Sequence, residues 1–194
     1  MTGINVAIVG VGNCASALVQ GVHKYAKAKS GKDIPGLMHP VLGSYAVGSI
    51  NVVAAFDIDT NKVGLDLSDA IFAKPNSAKK FHDVPNLGVV VQRGMTHDGI
   101  GKYMSDIIKK APGPTDEIVQ TLVNREVDVL INFLPVGSEA ATKWYIEQAL
   151  AAKVGVVNCM PVFIASSKDD YWQDRFKDAG TPIIGDDIKS QVGA

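Results

Sequence analysis

The sequence Gly10-Val11-Gly12-Asn13-Cys14-Ala15 directly follows an apolar run, Ile4–Val9, and opens a helical pattern. A strand, a glycine-rich turn and a helix in that order constrain the fold more than any other feature of this chain. Gly10 permits the tight strand-to-helix turn, and Gly12 lets the backbone come close to a pyrophosphate. Ala15 is small enough for close helix–strand packing. The backbone N–H groups from about Asn13 onward face outward at the helix start, where they favour phosphate oxygens. The expected ligand is a dinucleotide. The weaker alternative is a glycine-rich turn that binds nothing.

The remaining apolar runs extend this reading. Residues 52–56 and 127–133 read as buried strands, continuous rather than alternating. Residues 87–91, 154–157 and 182–184 are further candidates. Helical patterns cover residues 15–27, 115–124, 138–153 and 168–179, with Thr115 and Ser138 as expected caps. Gly180 is the expected stop of the last helix, with Pro182 beyond it. Strands alternating with helices predict an α/β fold, a doubly wound, mostly parallel sheet of the Rossmann type. Residues 30–49, 73–85 and 93–114 are rich in Gly, Pro and polar side chains and read as long loops, which in compact domains are usually functional or mobile.

Asp57 closes the second strand pattern. An acid there accepts hydrogen bonds from a ribose and repels a 2′-phosphate, which favours NAD over NADP. Its separation from the glycines far exceeds the usual ~20 residues, because residues 30–49 intervene. Asp59 is a second candidate, or a cap for the next helix. Ligands of such sheets bind at the carboxyl ends of the strands. Asn132-Phe133-Leu134-Pro135-Val136-Gly137-Ser138 and Asn158-Cys159-Met160-Pro161 fall there and could flank the nicotinamide half, or be ordinary strand-end turns. Gly185-Asp186-Asp187-Ile188-Lys189-Ser190 sets two acids and a lysine at a strand end. A lysine there could stabilise an oxyanion or relay a proton, and paired carboxylates could hold a cation. A solvated charge cluster is the blander reading.

Other classes find little support. The 194 residues are 46% hydrophobic and 20% charged, with a formal net charge of −1. That balance gives no electrostatic reason to expect nucleic acid or an anionic membrane as a partner. No apolar run approaches the roughly 20 residues that span a bilayer. The N-terminus lacks a basic region ahead of an apolar core, so a cytoplasmic location is the default expectation. Cys14 and Cys159 lack metal-ligand spacing, and no metal site is expected. His23, His39, His82 and His97 read as structural or solvated, with His23 on the exposed face of the first helix.

Taken in order, residues 9–16, 133–138, 158–161 and 185–190 resemble the inositol-3-phosphate synthase (myo-inositol-1-phosphate synthase) family, its shorter bacterial and archaeal branch in particular. The last segment carries the resemblance most specifically. It implies conversion of D-glucose 6-phosphate to myo-inositol 3-phosphate, with NAD used catalytically, within inositol and phospholipid biosynthesis. The implied steps are hydride removal at C5, proton loss at C6, aldol closure of C6 onto C1 and return of the hydride. By the same resemblance Gly10, Gly12, Asn13 and Cys14 hold the pyrophosphate and Asp57 the ribose. Asn132, Leu134, Pro135 and Asn158 flank the nicotinamide. Lys189 is the catalytic lysine that stabilises the oxyanion, and Asp187 lies near the nicotinamide or a cation. Residues 1–185 correspond to the NAD-binding domain and 186–194 to the start of a catalytic and tetramer-forming domain. Family members continue well past this motif, so the 194 residues alone are expected not to turn over. The alternatives are a plain NAD-dependent dehydrogenase and a non-catalytic NAD-sensing module.

Overall fold

The computed structural model describes residues 3–29, 34–102 and 104–188. Lys189, the expected catalytic lysine, lies outside the described residues, as does Ser190. In chain order the elements are β1 (Ile4–Val9), α1 (Asn13–Lys24), β2 (Val41–Leu42), β3 (Tyr45–Ala46), a 3-10 turn (Val47–Ser49) and β4 (Ile50–Asp57). There follow α2 (Leu67–Ala70), β5 (Val91–Arg93), α3 (Ile118–Asn124), β6 (Val129–Asn132), α4 (Glu139–Ala151), β7 (Gly155–Asn158), α5 (Tyr171–Ala179) and β8 (Ile183–Ile184). The main sheet has six strands in the order β5-β4-β1-β6-β7-β8. Every neighbouring pair in it is parallel.

The chain starts in the middle of the sheet and winds outward in both directions. The order therefore reverses beside β1, which opens a crevice at the carboxyl ends of β1 and β6. β1 is buried on both faces, which is why it reads as an uninterrupted apolar run. Ala7 and Val9 point to one side and join Phe56, Leu130, Tyr145 and Ile146 beneath α3, α4 and α5. Ile8 points to the other and joins Val11, Ala15, Val19, Leu67 and Ile71 beneath α1 and α2. Burying a side chain such as Ile8 or Leu130 completely contributes about 1.5–3 kcal/mol. The Arg175 guanidinium pairs with Glu147 and clamps α5 to α4.

Several expectations need correction. The apolar run 87–91 does not form a sheet strand before Val91. Its backbone bonds instead to the start of α2 and the turn ahead of it, with Leu67 N–H donating to the Val89 carbonyl at 2.7 Å and Val91 N–H to the Leu65 carbonyl at 2.8 Å. Residues 30–49, read as loop, contain the β2–β3 hairpin and a 3-10 turn. His23 is half-buried rather than exposed. Burial lowers its pKa, with a smaller contribution from His82.

Of the two expected caps, Thr115 does not cap its helix, and Ser138 takes the N-cap position without a side-chain bond. The N-cap of α3 is Glu117, without a side-chain hydrogen bond. Thr115 instead donates to the Met95 sulfur at 3.4 Å. At α4, Ser138 makes no cap bond. The Asp98 carboxylate does its work, accepting from Ala140 N at 2.7 Å and Ala141 N at 2.9 Å. Desolvation opposes its charge, but these backbone bonds outweigh it and lower the Asp98 pKa. Replacement of Asp98 by Ala should cost about 1 kcal/mol, the usual loss of a helix cap, measured by urea unfolding. Gly180, by contrast, ends α5 as expected, in the left-handed region at φ 67°.

Asp66 caps α2 in the same fashion. It accepts from Ser68 N at 2.9 Å, Leu87 N at 3.1 Å and Val89 N at 3.0 Å. Desolvation works against its charged form, but these bonds and the Ser68 hydroxyl hold the carboxyl below its ordinary 3.8. A depressed folded pKa gives stability that is present above the unfolded pKa and lost as pH falls through the folded one. Acid titration of stability should therefore fall less steeply below about pH 4 in Asp66→Asn than in the parent.

Candidate functional site

The crevice is floored by the glycine-rich turn between β1 and α1. Gly10 has φ +87°, and a Cβ there would sit 2.8 Å from the Phe133 carbonyl oxygen on the neighbouring strand end. Only glycine meets both conditions. A Cβ on Gly12 would meet nothing within 4 Å. The second glycine is thus not required by packing, and the space above it is open to an incoming group. Gly12 is the N-cap of α1 and supplies no side-chain bond to the helix start. The first-turn N–H groups of a twelve-residue helix consequently point at that space with a partial positive charge. Ala15 is fully buried, as close helix–sheet packing requires. Cys14 is half-buried with a free thiol.

Asp57 stands at the end of β4, beside this turn. Its Oδ2 accepts from Val11 N at 2.7 Å, and its Oδ1 accepts from Ile58 N at 2.7 Å and Asp59 N at 2.9 Å. The long sequence gap between glycines and acid therefore closes in space. Asp59 turns away and accepts from Asn61 N at 2.9 Å. Asn13 keeps its backbone at the helix start, while its side-chain oxygen accepts from Ser77 N and Ala78 N at 2.8 and 2.9 Å. Gln20, fully buried on α1, likewise accepts from Phe81 N at 2.8 Å and donates to the Lys79 carbonyl at 3.2 Å. The segment 76–82, read from sequence as a loop, is laced to α1.

On the other side of the crevice, Asn132 and Asn158 end β6 and β7 with no exposure. Asn132 Nδ2 donates to Asn158 Oδ1 at 3.0 Å and to Thr142 Oγ1 at 3.2 Å, and its Oδ1 accepts from Leu134 N at 3.2 Å. The two amides thereby shape the turn through Leu134 and Pro135. Asn158 Nδ2 donates to Asp186 Oδ1 at 2.7 Å and to the Val162 carbonyl at 2.9 Å. Asp186 is 8% exposed. Its other oxygen accepts from Ile164 N at 2.8 Å, Ser166 N at 3.2 Å and Ser166 Oγ at 2.9 Å.

The solvated-cluster reading of the Gly-Asp-Asp motif is thus corrected for Asp186, whose carboxylate is enclosed by donors. Those donors also leave it no lone pair aimed at a cation. Among the described residues no group of three or more His, Cys, Asp or Glu could hold a metal ion. Asp187 differs. Its backbone is left-handed at φ 62°, its N–H donates to the Met160 carbonyl at 2.9 Å, and its buried Oδ1 has no partner among the described residues.

Curated relatives share this sequence at high identity. The chain is 56% identical over 191 residues to an inositol-3-phosphate synthase of Mycolicibacterium smegmatis. That match covers 98% of the chain and 52% of the relative. Over its length the chain is similar to inositol-3-phosphate synthases. The synthase of Mycobacterium tuberculosis H37Rv is 55% identical over 193 residues, covering all of the chain and 52% of the relative. That of Corynebacterium glutamicum is 50% identical over 191 residues, with 98% and 52% covered. The chain therefore spans about half the length of the synthases it matches.

Among solved structures, that of Ari2 superposes with a TM-score of 0.80 at 35% identity, over 95% of the chain and 52% of Ari2. A myo-inositol-1-phosphate synthase-related protein of Thermotoga maritima gives 0.69 at 20% identity, over 95% of the chain and 55% of that protein. The latter likeness bears on the Rossmann-type fold alone. No protein-family model matches the chain.

Sequence reasoning passed over Lys62, Asn76, Asp98 and Gln20. Each acts on residues distant in the chain, so no local spacing marks it. Nothing local in the Gly-Asp-Asp motif signals the burial of Asp186.

Proposed function

We propose that this chain is the NAD-binding portion of an inositol-3-phosphate synthase that converts D-glucose 6-phosphate to myo-inositol 3-phosphate. The observation that carries the cofactor is the open space over Gly12, faced by the unpartnered start of α1 and flanked by Asp57. These residues fit a dinucleotide. The N–H groups from Asn13 to Ala15 would hold its pyrophosphate, with Cys14 lining the same turn. Asp57 would face the adenosine ribose and disfavour a 2′-phosphate. The turn through Leu134 and Pro135, shaped by Asn132 and Asn158, would border the nicotinamide end, with Asp187 nearby.

Bound NAD would supply hydride-accepting and hydride-returning chemistry, which leaves the overall reaction an isomerisation. The chain's own residues bind and orient. The carbon–carbon bond-forming chemistry is assigned to Lys189 and to the catalytic portion that opens at residues 186–194. That portion also carries the tetramer contacts and the sugar-phosphate site. Val136 and Phe163, exposed at 69% and 72% on loops at the carboxyl edge, suit a surface that it covers. The location proposed for this enzyme is the cytoplasm, where its sugar-phosphate substrate belongs. Among the described residues no helix is long and apolar enough to cross a membrane.

Calorimetric titration of the full-length protein tests the cofactor assignment. NAD should bind at least about tenfold more tightly than NADP, a difference of ~1.4 kcal/mol. Failure of either dinucleotide to bind would overturn it. Equal binding would remove Asp57 from the ribose. A plain dehydrogenase would show NADH accumulating with the sugar phosphate, and the synthase would not.

A further inference from the structure

Lys62 is 4% exposed, an uncommon state for an ammonium. It lies on the turn after β4, where its N–H donates to the Asp59 carbonyl at 2.9 Å. Its Nζ donates to Asn76 Oδ1 at 3.0 Å and stands 3.9 Å from Asp57 Oδ2. Those two partners meet again on one residue. Asp57 Oδ2 accepts the N–H of Val11 at 2.7 Å, and Asn76 Nδ2 donates to the carbonyl of Val11 at 3.0 Å. Val11 is the middle residue of the glycine-rich turn and is itself fully buried. Both polar groups of its backbone are thus gripped by side chains, and Lys62 joins the two grips into a closed ring.

We propose that Lys62 is a positioning residue for the dinucleotide: through Asp57 and Asn76 it fixes the peptide planes on either side of Val11, and so the direction of the N–H groups that meet the pyrophosphate. The inference rests on the NAD-binding reading above and deepens it. Gly10 and Gly12 leave the turn little intrinsic preference for one conformation. A turn of that kind needs restraint from outside if its donors are to be preorganised, and preorganisation is what a binding site gains from fixed groups. A neutral side chain of similar shape at position 62 could fill the space. It could not orient the Asn76 amide, whose Oδ1 requires a donor for its Nδ2 to face Val11. Nor could it offset the Asp57 charge beside the turn. Asn76 Nδ2 also reaches the Ile71 carbonyl at 3.0 Å, which ties the ring to the end of α2.

The test uses the full-length protein and measures Kd for NAD and for ADP by calorimetry. The variants are Lys62→Met, Asn76→Leu and the double substitution, with unfolding midpoints recorded alongside. Each single variant should weaken both ligands by roughly tenfold to a hundredfold, the loss that small misplacements of binding groups produce. The double variant should be little worse than the weaker single, because both act through Val11. A role confined to stability would lower the unfolding midpoint and leave both Kd values unchanged, which would overturn the inference. Multiplying losses in the double variant would overturn it as well. If Lys62→Met does not fold, Asn76→Leu decides on the same criterion. Failure of the parent protein to bind NAD would instead remove the NAD-binding reading itself, and is seen before any variant is made.

Discussion

Asp186→Ala should destabilise the protein by more than about 4 kcal/mol, because each buried donor left without an acceptor costs about 1–3 kcal/mol. The carboxylate takes hydrogen bonds from the Ile164 backbone, from Asn158 Nδ2, and from the backbone and hydroxyl of Ser166. Ile164 and Asn158 have no exposure, so water cannot replace the lost acceptor there. The damage should also travel. Asn158 orients Asn132, and Asn132 receives the Leu134 N–H that shapes the turn at the crevice. Asp186→Asn should do nearly as badly, since its amide nitrogen would face donors. The check is the midpoint of denaturant unfolding. A loss under about 1 kcal/mol would mean that the network does not carry the strand ends.

The second large effect separates binding from folding. Gly12→Val should leave stability within about 1 kcal/mol of the parent, as an unhindered surface position allows. Its φ of −96° suits any residue, and its Cβ would meet nothing within 4 Å. The same side chain would occupy the space a pyrophosphate needs, and NAD affinity should fall on the order of 100-fold, or roughly 3 kcal/mol. Gly10→Ala makes the contrast. There the Cβ meets the Phe133 carbonyl at 2.8 Å and the backbone is left-handed, so folding itself should suffer. Calorimetry and thermal unfolding on the three proteins read both quantities. Undiminished NAD binding by Gly12→Val would remove the cradle from the account.

The strands at the centre of the sheet were legible because both their faces are buried. The unbroken apolar run of β1 coincides with its observed limits, Ile4–Val9. The edge was harder. Residues 87–91 carry the same apolar signal, yet they bond to the start of α2 and the turn before it, and only Val91 enters the sheet. Burial sets the composition there, and pairing is decided by a tertiary contact that composition does not record. The bonds that cap the helices were hidden for a related reason. Ser138 has the right identity at the right place, but Asp98 reaches the helix start from forty-odd residues earlier in the chain.

The candidate site divides along the same line. Gly10, Gly12 and Asp57 were visible because a tight turn and a strand end impose local demands on residue type. Lys62 and Asn76 were not, because a lone lysine in a polar turn looks solvated until its neighbours are in place. The contact of Asn76 with Val11 spans 65 residues. Asp186 and Asp187 look equivalent in the sequence. Their surroundings separate them, one enclosed by donors and the other with an oxygen that has no partner among the described residues.

Isomerisation of glucose 6-phosphate with a regenerated cofactor is the activity proposed for the protein of which this fold forms part. The most direct measurement mixes the full-length protein with glucose 6-phosphate and NAD at a concentration well below the sugar phosphate, and follows phosphorus and proton NMR. Myo-inositol 3-phosphate should accumulate past the NAD concentration, with no net NADH. NADH formed in step with an oxidised sugar phosphate would contradict it, and so would bound NAD with no inositol phosphate at all.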